Sequence, residues 1–319
     1  MKQTLTTLLL LCTIGLMSLG LISCHKDNNN VDIKTYDQQQ IQNYISANGL
    51  TGMKRDLDGG DTTGIYYQIL RPGKGKVLQY SDAVSIVFTY KTLDGQYVSA
   101  DTVLNHAYSY VGHFTPPAGL MLALKTILVN DGAQARILIP SHLAYGTSGT
   151  GTGSTRLPGN ESLDYYINMI NSEPNLPNSE PIYDDMVIQN YMKTNGLTGY
   201  TKTADGLYYK IVQVGTGTVP VTENSVVGLQ YTGKLFNGTI FDGQNFADTS
   251  SFPVNYKNMI PGWQEGLKLV TKGAKLSLII PSGLAYGKNP ATFGASFTVQ
   301  APPANSCLYY DFNIMSVTN

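Results

Sequence analysis

Tyr231, Phe241 and Asp242 crowd into the stretch "YTGKLFNGTIFDG", which ends at Gly243. Two aromatics and one acid beside a glycine-rich turn either fill a strand-turn-strand core or line a pocket. Further along stand the single tryptophan, Trp263, and two more phenols, Tyr286 and Tyr310. Such residues offer flat apolar surface and a few hydroxyl donors. Other chemistries lack their residues. His25, His106, His113 and His142 are scattered with no metal-ligand spacing, so solvated loop positions are expected for them. The run "GTSGTGTGSTR" at Gly146 to Arg156 has no strand-to-helix context, so it reads as a flexible loop and not a phosphate cradle. Cys12, Cys24 and Cys307 make no internal disulfide framework, and Cys307 reads as a small apolar strand residue.

The elements that must position these side chains occur twice. "IQNYISANGLTG" from Ile41 returns as "IQNYMKTNGLTG" from Ile188. "GIYYQILRPGKG" from Gly64 returns as "GLYYKIVQVGTG" from Gly206, and "HLAYG" with Tyr145 returns as "GLAYG" with Tyr286. Three matches in one order imply a duplicated domain. Each copy opens with a short polar helix, then alternating runs that read as strands: "LYYKIVQ", "VVGLQYTGKLF", "KLSLII" and "CLYYDFNIMSV" in the second. One helix interrupts them, "PGWQEGLKLVTKG", with Pro261 at its entry and Gly273 at its exit. Trp263, Gly266, Leu267 and Val270 form its apolar stripe. The segment Asn171 to Pro181 holds three prolines and reads as a semi-rigid linker. The expected division is 1–24 leader, 25–35 tether, 36–170 first domain, 171–182 linker and 183–319 second domain.

Composition agrees with two folded units. Apolar residues are 42% and charged residues 13% of 319, so large cores are available and general disorder is not expected. A net charge of −1 gives no electrostatic reason to expect nucleic acid as a partner. The leader has Lys2 before an apolar run that reaches Ile22 and ends in "LISC". This resembles the lipobox of bacterial lipoproteins, which implies cleavage before Cys24, acylation of Cys24, and a lipid anchor in the bacterial envelope, at the outer membrane.

Taken together, "YTGKLFNGTIFDG", "MIPGWQEGL", "GAKLSLIIPSGLAYG" and "PANSCLYYDF" resemble the FKBP-type peptidyl-prolyl isomerase family over nearly all of the second copy. The resemblance implies an α+β fold with two FKBP-like domains. Each would be a twisted antiparallel β-sheet wrapped over one short α-helix and preceded by a short helix. It implies a catalytic cleft of Tyr231, Phe241, Asp242, Trp263 and Tyr286, with Phe252, Met259, Ile260 and Tyr310 on the walls. Trp263 would be the floor. The partners would be proline-containing polypeptides of the envelope; no cofactor and no metal is implied.

The first copy departs at these positions. Phe88 aligns with Tyr231, Val98 with Phe241, Ser99 with Asp242 and Leu120 with Trp263, whereas Tyr145 and Tyr165 persist. A similar fold with weak or absent catalysis is expected there. The rival reading of the whole chain is a non-catalytic chaperone or peptide-binding lipoprotein. Oligomeric state is not legible from these features.

Overall fold

The computed structural model describes residues 32–57, 63–243, 252–289 and 301–319. The leader and Cys24 lie outside the described residues.

Two antiparallel sheets carry the chain. The first is built from β1 (Lys54–Arg55), β2 (Tyr66–Arg71), β3 (Ala83–Thr92), β4 (Val98–Ser99), β5 (His106–Tyr110), β6 (Gln134–Ile139) and β7 (Leu163–Ile170). The second is built from β8 (Thr201–Lys202), β9 (Tyr208–Gln213), β10 (Val226–Leu235), β11 (Ile240–Gly243), β12 (Phe252–Asn255), β13 (Lys275–Ile280) and β14 (Leu308–Thr318). Their orders correspond strand for strand: β1-β2-β6-β7-β3-β4 with β5 also on β3, and β8-β9-β13-β14-β10-β11 with β12 also on β10. Register fixes which residues hold equal places. Phe88 faces Ile167 and Tyr90 faces Tyr165 across β3–β7. Tyr231 faces Phe312 and Gly233 faces Tyr310 across β10–β14. The architecture is α+β, two such sheets with few helices.

Each core lies between one face of a sheet and a short helix. Along β14 the period of two sends Leu308, Tyr310, Phe312 and Ile314 inward. Each such buried side chain contributes roughly 1.5–3 kcal/mol. The helix Pro261–Leu267 covers that row. It approaches closely because Gly262 and Gly266 face β13; a Cβ at either would lie 2.5 Å from Ile280 or 2.6 Å from Leu278. In the first sheet Gly119 faces Ile139 in the same way, which places Leu120 where the second sheet has Trp263.

The helix is shorter than its sequence pattern predicts. After Leu267 the bonds tighten to Leu269 N–H to Gly266 O and Val270 N–H to Leu267 O, and Gly273 ends a separate turn. The Asn171 to Pro181 segment is tied down. Asn171 pairs with Ser179, the Asn178 side chain donates to the Met169 carbonyl at 2.7 Å, and the next helix already begins at Glu180. The glycine-rich run at Gly146 closes on itself through a Thr150–Leu157 bridge.

The opening helices Ile33–Ala47 and Glu180–Thr194 each bury one aspartate. Asp37 accepts from the His142 backbone N–H at 3.1 Å and from its ring at 2.7 Å. Asp184 accepts from the Ser282 N–H at 2.8 Å and from its hydroxyl at 2.7 Å. A buried N–H left without a partner costs about 1–3 kcal/mol. These carboxylates therefore pin the turns that carry Tyr145 and Tyr286.

The histidine expectation fails at two positions. His106 is buried on β5, with Nε2 2.9 Å from the Ser85 hydroxyl and 3.5 Å from Glu180. His142 is held by Asp37. Neither sits in a solvated loop, because each supplies a hydrogen bond that a buried neighbour needs. Cys307 precedes β14 and is buried, but its thiol lies 3.2 Å from an Asp184 oxygen and donates to it, so it is more than apolar filling.

Candidate active site

The long strand β10 delivers Tyr231, the bulged edge strand β11 delivers Phe241 and Asp242, and the helix N-terminus delivers Trp263. Pro261 begins that helix at its first turn, so the indole emerges directly after the chain turns in toward the sheet. Trp263 is boxed by three rings set nearly perpendicular to it. Their centroids lie 4.9 Å away for Tyr231, 5.0 Å for Tyr310 and 4.9 Å for Phe312. Edge-to-face contacts of this kind add about 0.5–1.5 kcal/mol each beyond burial. Phe241 closes the far side, 5.7 Å from Tyr310 and also edge-on.

Burial divides the group. Tyr231, Phe241, Met259, Trp263 and Tyr310 are buried, Trp263 with 6% of its surface exposed. Asp242, Ile260 and Tyr286 are partly exposed and form the rim. The Trp263 indole N–H is buried without a hydrogen-bond partner. Phe252 takes its place on β12, opposite Leu229; its side chain is outside the described residues.

The Tyr231 hydroxyl donates to Asp242 at 3.2 Å. Burial pushes the Asp242 carboxyl above the usual range, and the Tyr231 hydroxyl and Gly243 N–H only partly offset it. Burial likewise raises Tyr231, with Asp242 adding to the effect. Burial pushes the Tyr286 hydroxyl up to about 12, with Asp242 adding to the effect. Every phenol here stays protonated at neutral pH, so the site presents neutral donors, apolar walls and one shielded carboxyl.

Apart from Phe252, whose side chain lies outside the described residues, the site residues expected from sequence come together, with Phe312 added. It shares the inward face with Tyr310, two positions earlier on β14, and that alternation was the signal for it. Val98 is a correction. It is 60% exposed and pairs with Lys91, whereas Phe241 is fully buried. The bulge between Gly233 and Lys234 turns Phe241 inward, and β4 pairs without one. Tyr90 fills the corresponding space instead, stacked on Tyr165 at 4.8 Å.

Residues 217–315 match the model of the FKBP-type peptidyl-prolyl cis-trans isomerase family. That span contains Tyr231, Phe241, Asp242, Phe252, Met259, Ile260, Trp263, Tyr286, Tyr310 and Phe312. FKBP-type peptidyl-prolyl cis-trans isomerase FkpA from Buchnera aphidicola (Schizaphis graminum) is 38% identical over 130 residues, covering 40% of this chain and 48% of the relative. FkpA from Escherichia coli strain K12 is 36% identical over 121 residues, covering 37% and 40%. The chain thus spans about half the length of such relatives. The crystal structure of Escherichia coli FkpA overlays 43% of this chain and 60% of its own at 31% identity, with a TM-score of 0.35.

Proposed function

We propose that the second sheet and its helix are a peptidyl-prolyl cis-trans isomerase site acting on proline-containing polypeptides. The observation that carries this reading is the aromatic box around Trp263, with Asp242 and Tyr286 on its rim, inside the segment matched by the FKBP-type family.

The reaction suits such a site. Rotation about an X–Pro bond crosses a barrier of about 18–20 kcal/mol because amide resonance must break. The two isomers differ by only about 0.5–1 kcal/mol, and no proton or nucleophile is required. A catalyst needs to hold the twisted amide better than the planar one. The twisted amide has less charge separation, so it loses less in a water-poor aromatic cleft. Trp263 is the floor against the pyrrolidine ring, and Tyr231, Phe241, Phe252, Met259, Ile260 and Tyr310 are walls. Tyr286 donates to a substrate carbonyl and holds the chain bent. Asp242 orients Tyr231 and takes no proton.

The reading extends to the whole chain: a first domain at 36–170, a linker at 171–182, the isomerase at 183–319, and an envelope location through lipid on Cys24, with folding envelope proteins as clients. A protease-coupled isomerisation assay of the full chain tests it, wild type against Trp263→Leu. Acceleration at substoichiometric protein, lost in the variant, is the expected result. Action only near one-to-one favours the chaperone alternative, and no effect at any ratio removes the isomerase reading.

A further inference from the structure

The first sheet and the segment that leads into its helix form an open cavity of about 250 Å³ at the place that corresponds to the Trp263 site. We propose that it is a second binding site, for an uncharged, proline-containing peptide segment, that binds without isomerising.

The register explains why space exists there. Ala107 faces Ile86 across β3–β5, the place Phe252 takes opposite Leu229. Leu120 stands for Trp263. Two large rings are thus replaced by a methyl and an isobutyl group, and the walls are Phe88, Tyr165 and Phe114, the last following the turn Val111–His113 as Met259 follows Tyr256–Asn258. The volume falls just below the roughly 300–1,000 Å³ of sites for drug-sized ligands, which suits one ring with its flanking peptide groups.

The lining chemistry selects the ligand. Among the described residues no Asp, Glu, Lys or Arg lines the cavity; its polar lining is Asn105, His113, Thr115 and phenols, which favours a neutral hydrogen-bonding occupant over a charged one. Tyr145 stands on its rim as Tyr286 does in the second sheet. Tyr90 and Tyr165 line the same cavity beside it. A rim phenol above flat apolar walls fits a carbonyl acceptor next to a compact apolar ring. The parts argued to favour the twisted amide are absent: Leu120 gives no indole floor, and Ser99 pairs with Tyr90 where Asp242 pairs with Gly233. Binding of the ground state follows, without turnover.

The choice of a prolyl probe rests on the proposed function; the cavity itself does not. Trp263 is the single tryptophan and lies in the second sheet, so its fluorescence follows that site alone. The experiment is calorimetric titration of the full chain with an uncharged acetyl-Ala-Leu-Pro-Phe-amide peptide, read beside tryptophan fluorescence. Wild type should take up two equivalents, one of them silent in fluorescence. Ala107→Phe, which restores the second sheet's residue type, should abolish the silent equivalent and leave isomerase kcat/KM unchanged. Tyr145→Phe should weaken the silent site by about three- to tenfold, the worth of one hydrogen bond, and stands in if Ala107→Phe does not fold. A single equivalent in wild type, or a silent site untouched by the folded variants, overturns the proposal. A silent equivalent in a chain with no isomerase activity upholds it and removes the proposed function alone.

Discussion

Gly233 lies across the β10–β14 ladder from Tyr310, and a Cβ there would come within 2.5 Å of the Tyr310 ring and 3.1 Å of Phe241. The first sheet puts Tyr90 at the same place, opposite Tyr165, and stacks the two rings. One hydrogen atom in the second sheet therefore leaves the room into which β11 bulges Phe241.

Gly233→Ala should destabilise the protein by about 1–3 kcal/mol, the usual cost of overpacking. Urea titration checks it. Gly233→Tyr should do more damage, and adding Phe241→Val should recover part of the loss, because the two rings compete for one space. Simple additivity of the two changes would show that they do not.

Trp263→Leu reproduces the first sheet's choice. It forfeits three edge-to-face contacts and leaves unfilled volume, at an expected cost of about 2–4 kcal/mol. Prolyl isomerisation should fall by about tenfold or more, equal to roughly 1.4 kcal/mol or more of lost transition-state contact. Trp263→Phe should lose less of both. Matched assays and melts on the two variants distinguish floor area from mere stability.

Much of this was legible in the residues. The alternation in "VVGLQYTGKLF" and "CLYYDFNIMSV" gave β10 and β14 almost to the residue, because one face of each had to be apolar. Trp263 and Tyr231 were legible because their types are scarce and their order is distinctive. Phe312 was not singled out, since an inward strand aromatic looks like core until its distance to Trp263 is known. Val98 was misassigned because a one-residue bulge reverses which face a side chain takes, and linear alignment cannot see a bulge. His106 was misread because its burial depends on an element far along the chain, the helix that starts at Glu180.

Asp242 is argued to be a positioning residue. Asp242→Asn should keep isomerase kcat/KM within about tenfold, since the hydrogen bonds from Tyr231 and the Gly243 N–H are weakened rather than lost. The pH profile carries the sharper test. Burial raises the folded carboxyl above its unfolded value. As pH falls, protonation removes the negative acceptor for Tyr231, and wild-type activity should decline on the acid side; Asn should flatten that limb. The same elevation means that Asp242 favours folding at acid pH and loses this contribution as pH rises through its folded value. A loss of several orders of magnitude in Asp242→Asn at neutral pH would make it a proton-transfer group instead.

Where the two sheets meet, His106 and Glu180 should set opposite limbs of a stability profile. Their Nε2 and Oε1 lie 3.5 Å apart, with the Ser85 hydroxyl and the Asn305 amide against the imidazole and the Tyr183 ring edge-on to it. Burial lowers His106 to about 4 and raises Glu180 to about 8, with Asp184 adding to the latter and Lys288 opposing it. Whichever atom holds it, the pair keeps one proton between those limits. Below the ordinary histidine value the unfolded chain binds the extra proton more readily, so stability falls as pH drops toward 4. Above the ordinary carboxylate value the unfolded chain releases a proton that folded Glu180 retains, so stability falls as pH rises toward 8. Each limb has a slope near 1.4 kcal/mol per pH unit, and between about 4.5 and 6.5 the two cancel. Asp184, raised to about 6 by burial, adds a further decline over its own range. Denaturant titrations from pH 4 to 8 should show the fall on the alkaline side, and Glu180→Gln should remove its portion between pH 6.5 and 8 while sparing the acid limb. An unchanged alkaline limb in Glu180→Gln would mean that the carboxyl ionises in the folded chain as freely as in the unfolded one.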